Sequence, residues 1–239
     1  MATRADHFDA PAAEQRERLF FLLMALAIAA TVLIGFGAFI ALGISSFSAP
    51  WWVHVHGVTF MLWIVLYVQQ NLALFRGSIE QHRRLGRIGA GLALWMVLLG
   101  LVLTPVTVAN GRMPPFFAPA FFLALDWVNI ACFAGLVYAA LHFRSQTDWH
   151  RRLMLCATIS VIAPAWGRLL VLADAMSEWT NFGMLLVYVI IAMIADRSIR
   201  GRVHPAYLWG FAALFITAPV ISGLAAFPPF QTLAMHIAG

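Results

Sequence analysis

Apolar runs of bilayer length, broken only by short turns that carry arginine, leave this chain few ways to fold. A helix needs about 20 residues to cross a hydrocarbon layer. Seven stretches reach or approach that length, at 19–43, 51–75, 85–108, 118–143, 152–173, 179–195 and 205–227. In lipid every backbone N–H and C=O must be satisfied within the protein, so runs of this kind form helices. The expected fold is an all-α polytopic bundle of seven transmembrane helices: a short segment, 1–18, then a single membrane domain, 19–239. The composition agrees, with 62% hydrophobic and 10% charged residues, against roughly 25% charged in soluble domains.

A second feature lies within the turns. Phe75-Arg76 followed by His82-Arg83-Arg84-Leu85 recurs as Phe143-Arg144 followed by His150-Arg151-Arg152-Leu153. A weaker third copy runs from Asp196-Arg197 to His204-Pro205-Ala206. Each copy sits between two apolar runs, so the expected architecture is one leading helix and three duplicated hairpins.

All basic residues are arginine; there is no lysine. A retinal Schiff base needs a lysine amine, so retinal is excluded. The arginines sort by loop. All but Arg112 and Arg168 fall in the N-terminal segment (Arg4, Arg16, Arg18) or in the second, fourth and sixth connections, which places those connections and the N-terminus in the cytoplasm and the C-terminus in the periplasm of a bacterial inner membrane. Residues 1–18 interleave Arg with Asp6, Asp9, Glu14 and Glu17, unlike a signal peptide, so the first helix is expected to remain. The arginines read as topology signals and not as a nucleic-acid surface. Arg76, Arg83, Arg84, Arg144, Arg151 and Arg152 would form a rim for anionic phospholipid. Cys132 and Cys156 form no CxxC or Cys/His pattern and read as small core residues.

Two groups could carry chemistry. On the periplasmic side, His54, His56, Asp126, Asn129 and Arg168 have overlapping depths. An ionisable residue inside a span costs about 2.5–3.5 kcal/mol on insertion scales, so Asp126 and Arg168 should face inward and meet. His56, Phe60, Trp63 and Gln70 form a stripe on the second helix, and His-x-His turns its two rings about 200° apart, so one of the pair points inward. Either Asp126 and Arg168 are a structural ion pair, or the group holds a quinone, a haem b or a metal. In the second case His56 would be the ligand or proton-exchanging group, Asp126 the acid or base, and Arg168 an anion anchor. Pro164 removes a backbone hydrogen bond from the fifth helix, frees the carbonyl of Ser160 and should kink the helix just before Gly167 and Arg168.

On the cytoplasmic side lie His82, His142, His150 and His204. As zinc ligands, with Glu80, Asp148 or Asp196 as acid or base, they would make a metal-dependent lipid hydrolase. The adjoining arginines argue for structural or lipid-facing roles. A haem held by two histidines needs ligands on two helices at matching depth. The periplasmic half has no second histidine at the depth of His54 and His56, since His236 lies beyond the last span. On the cytoplasmic side His142, the one histidine expected within a span there, could find a partner only if His82, His150 or His204 dips into the bundle, so a standard b-type arrangement is not expected.

His54-Val-His56-Gly, His82-Arg-Arg-Leu-Gly86, Trp149-His-Arg-Arg-Leu-Met154, Pro164-Ala-Trp-Gly-Arg168 and Gly201-Arg-Val-His-Pro-Ala206 resemble the landmarks of an uncharacterised family of bacterial multipass membrane proteins, over about residues 50 to 210. That resemblance implies the fold and brings no activity with it. A more distant similarity to b-type cytochrome membrane proteins rests on histidines near helix ends. The leading expectation is a small-ligand or cofactor-binding membrane protein with redox-linked work. The alternatives are an accessory or assembly subunit of a larger membrane complex, and the hydrolase.

Overall fold

The computed structural model describes the backbone of residues 6–239 and the side chains from residue 12 onward. Arg4 and the side chains of Asp6 and Asp9 lie outside the described residues. The helices are α1 (Asp6–Ala41), α2 (Trp51–Phe75), α3 (Ile79–Ala109), α4 (Pro119–His142), α5 (Thr147–Ser160), α6 (Ala163–Leu172), α7 (Glu178–Arg200), α8 (Pro205–Ala226) and α9 (Pro228–Ala238). Six are long and apolar enough to cross a membrane, and α5 with α6 makes a seventh crossing if the bent pair is counted as one. The chain is a multipass helical membrane protein.

Local sequence sets the ends of these elements. Pro119 and Pro205 begin helices, where the missing N–H costs nothing. Ser177 and Thr180 close a reciprocal capping box at the start of α7. Gly77 and Gly201 have φ of 76° and 74°, the left-handed geometry that lets the chain leave α2 and α7 in a tight turn. Two boundaries differ from the expected ones. α1 starts within the expected N-terminal segment, so Glu17 belongs to a helix already inside the bundle. α3 starts at Ile79, which places His82, Arg83 and Arg84 on the helix and not in the loop before it.

The expected fifth span is two helices and not one kinked helix. α5 and α6 meet at 45°, and Val161 and Ile162 fall between them, bonding to Thr158 and Ile159 in the tighter i→i−3 pattern. Pro164 sits at the start of α6, where it acts as a helix starter. α9 was not foreseen: it folds back against α4, α3 and α8 and buries Phe230 and Ala234 in a small separate core.

The main core runs through the centre of the bundle and includes Ile28, Met96, Phe133, Leu155, Ile159 and Tyr207. Consecutive helices pack as pairs, α2 on α3, α4 on α5 and α7 on α8, while α1 packs on α2, α6 and α7. Small residues set two of the closest approaches. A Cβ on Gly35 would lie 2.6 Å from the Ala165 carbonyl oxygen, and one on Gly210 would lie 2.7 Å from Cys156 Cβ. Lipid offers helices no hydrophobic drive to associate, so close backbone packing of this kind supplies much of the attraction.

Candidate functional site

Two hairpins, α2–α3 and α4–α5, meet face to face near the arginine-rich end and leave a slot between them. Trp63, Tyr67 and Gln70 line it from α2, His82, Gly86 and Gly89 from α3, Val137 and Leu141 from α4, and His150, Arg151 and Met154 from α5. Its cavity is ≈ 90 Å³, within about 700 Å³ of atom-free space that is partly open to the surface.

Both histidines are held from behind. His150 Nδ1 lies 2.7 Å from the carbonyl oxygen of Ala140. A carbonyl can only accept, so Nδ1 carries the proton and Nε2 keeps its lone pair. With the Gln70 amide oriented so that its oxygen accepts from Gly86 N at 2.7 Å, its nitrogen donates to His82 Nδ1 at 2.5 Å. The two imidazoles lie edge-on, with centroids 6.3 Å apart and planes at 80°. The helix start at Ile79 supplies the dip into the bundle that the sequence alone did not show, and it gives His150 a partner in His82 instead of in His142. His142 is exposed and stacks on Tyr138.

Two residues that line the slot carry buried donors without a partner. Trp63 and Tyr67 are 3% and 6% exposed, and neither the indole N–H nor the phenol hydroxyl finds a hydrogen bond. A buried donor left unpaired costs about 1–3 kcal/mol. Tyr67 was missed by the sequence reading, although it falls on the same helix face as Trp63 and Gln70.

Beside the slot is a network of charge. Arg152 is 0% exposed; its Nη2 donates to Glu17 Oε1 at 2.7 Å and also to Asp196, while Nη1 donates to the Asp148 carbonyl oxygen at 3.0 Å. Arg200 Nε donates to Glu17 Oε2 at 2.9 Å, and Arg151 reaches the same oxygen at 3.0 Å and pairs with Asp148. Asp196 Oδ2 accepts from the His204 backbone N–H at 2.7 Å. Three guanidiniums thus meet three carboxylates, which offsets the several kcal/mol that each ion loses on leaving water. Arg151 and Arg152 were expected at the lipid rim. Arg152 is interior and Arg151 nearly so, because Glu17 on α1 draws them inward. Arg76, Arg83, Arg84 and Arg144 are exposed. Asp148 and Asp196, expected as acid or base, are committed to arginines.

The four histidines expected to bind zinc do not converge. No group of three or more metal-ligating side chains occurs among the described residues. His204 packs edge-on against Trp149, and its Nδ1 accepts from Ala206 N at 3.2 Å, capping α8. Desolvation first, and then the nearby Arg152 cation, holds its imidazole below the ordinary histidine value.

At the opposite end the expected group is dispersed. Asp126 accepts from the Thr104 hydroxyl at 3.3 Å. Arg168 lies over the Phe36 ring at 3.9 Å and donates to the Pro164 carbonyl oxygen at 2.8 Å. No ion pair joins Asp126 and Arg168 among the described residues, because the break before α6 directs Arg168 toward α1 and away from α4. His56 stacks on Phe60 at 4.4 Å. His54 Nε2 lies 3.0 Å from the Ala49 carbonyl oxygen and 3.2 Å from that of Phe47, tying down the loop before α2. The side chain of Asn129 bonds to no protein group among the described residues.

No protein family, no curated protein and no solved structure matches the chain.

Proposed function

We propose that this membrane protein binds a small, flat ligand or cofactor in the slot between α2, α3, α4 and α5, on the cytoplasmic side of the bacterial inner membrane, and that its work is redox-linked. The observation that carries this reading is the pair of buried donors without partners, Trp63 Nε1 and Tyr67 Oη, at a gap lined mainly by apolar side chains. Ligand sites are concave and mostly apolar with a few placed polar groups, and the lining of this slot has that character. A planar ring system bearing acceptor oxygens, such as a quinone head group or a tetrapyrrole, would give these donors a partner.

The recurring Phe-Arg and His-Arg-Arg-Leu segments support the same reading. As an internal duplication they would place a histidine at equal depth on each of two hairpins and so build the two walls of one site. The exposed Arg76, Arg83, Arg84 and Arg144 would hold anionic lipid around it.

The test is mass spectrometry of small molecules that co-purify with the full-length protein in mild detergent, set against Ala90→Phe, which fills the slot from α3. The reading expects a stoichiometric ligand in the wild type and its loss in a folded variant. The same ligand at the same stoichiometry in both proteins would place the site elsewhere.

A further inference from the structure

We infer that the occupant of the slot is a b-type haem whose iron is bound by His82 Nε2 on one face and His150 Nε2 on the other. The inference rests on the reading of the slot as a cofactor site and adds the identity of the cofactor and its ligands.

The separation of the rings is the first argument. Metal–imidazole bonds are about 2 Å long, and a ring nitrogen lies about 1.2 Å from its ring centre, so two axial imidazoles on one metal hold their centroids about 6.4 Å apart. The observed separation is 6.3 Å. Rings that merely pack reach the same separation, as Trp166 and Tyr188 do at 6.3 Å, so the spacing admits a shared metal and the contacts behind the rings must select it.

The hydrogen bonds behind the rings are the second. Metal-binding histidines almost always donate their other ring N–H to a carbonyl, a carboxylate or water, which fixes the tautomer. His150 does this through Ala140. On His82 the Gln70 amide occupies the equivalent position, and a half-turn of that amide presents its oxygen to an Nδ1 proton once Nε2 binds metal.

The third argument is the ligand count. No third metal-ligating side chain joins the pair among the described residues, so an ion held here must bring its remaining ligands with it. A porphyrin supplies four in a plane, and the slot lies between the two hairpins that carry the imidazoles. The porphyrin carboxylates are anionic, and Arg151 lines the slot with its Nε unpartnered.

The test uses full-length protein, produced with ample haem precursor, purified in mild detergent, incubated with haemin and desalted. The expected result is one haem per chain, low-spin in both oxidation states by absorbance. Because the ring planes are 80° apart, the ferric protein should give the strongly anisotropic low-spin electron paramagnetic resonance signal of perpendicular imidazoles. This wild-type signal decides without any variant. His82→Gly or His150→Gly should turn the haem high-spin or release it, added imidazole should restore the low-spin spectrum, and His142→Gly should leave it unchanged. Low-spin haem that persists in both glycine variants overturns the assignment of ligands. If folded wild-type protein takes up no haem but binds a ubiquinone analogue, with binding lost in Ala90→Phe, the haem inference falls and the cofactor slot stands. If it binds neither, both fall.

Discussion

Glu17 Oε1 accepts a hydrogen bond from Arg152 Nη2 at 2.7 Å, joining the first helix to the fifth, and the two residues are 2% and 0% exposed. Neither ion can be solvated if the other is lost. Arg152→Met should cost about 3–5 kcal/mol, since it strands Glu17 and Asp196 as buried carboxylates. Adding Glu17→Gln and Asp196→Asn should recover most of that loss. Thermal unfolding of the three proteins in one detergent reads both steps, and a mild single variant would show that the carboxylates find other partners.

Close helix packing gives a second contrast. Gly210→Ala places a methyl carbon against Cys156 on a buried face, and should destabilise by about 1–3 kcal/mol through overpacking. Gly91→Ala meets nothing within 4 Å and gains helix propensity. Melting temperatures should therefore move in opposite directions. A Gly210→Ala protein as stable as the wild type would mean that α8 can move off α5 at little cost.

The cap on α8 should titrate. Neutral His204 accepts from Ala206 N, and protonation removes that acceptor. Its value in the folded protein is depressed, by desolvation first, so the folded state binds fewer protons than the unfolded one. The stabilisation is therefore complete above the ordinary imidazole value and lost as the pH falls through the lower, folded value. His204→Asn keeps a capping oxygen that does not titrate. A melting curve against pH should lose its acid-side slope component in this variant, and an unchanged slope would assign it to another group.

Asp126 and Arg168 should behave as strangers. Asp126→Asn and Arg168→Gln each change a different local contact, so their effects on stability should add to within about 0.3–0.5 kcal/mol. A larger coupling energy in the double-mutant cycle would restore the ion pair that the structure lacks.

Much of the fold was legible because bilayer thickness leaves apolar runs little freedom. The runs at 51–75, 118–143 and 205–227 reappear as α2, α4 and α8 almost residue for residue. The site was less legible, and particular residues show why. Glu17 looked like a solvated charge in a polar leader, because sequence carries no sign that α1 extends far enough to bring it against Arg152. Arg151 and Arg152 looked like a lipid rim for the same reason: a basic cluster shows its counter-ions only after distant helices have docked. His82 was placed in a loop because its polar neighbours Glu80, Gln81, Arg83 and Arg84 resemble a turn, yet they form the solvated first turns of α3. Asp126 and Arg168 were paired by depth alone, and depth says nothing about azimuth once the fifth span breaks. The stripe legible on α2, His56, Phe60, Trp63 and Gln70, omits only Tyr67, which falls on the same face one turn after Trp63.

The break at Val161 and Ile162 assigns the two halves of one crossing to different neighbours. α5 is fastened to α4 and α8 and, through Arg152, to α1 and α7, whereas α6 leans chiefly on α1 and α7. A rigid rod through this position would carry any push on the Arg168 end straight to the imidazole of His150. Two residues without α-helical continuity absorb it instead, as a slack coupling absorbs load between two shafts, so the far end of the crossing can yield while the histidine stays in register with its partner.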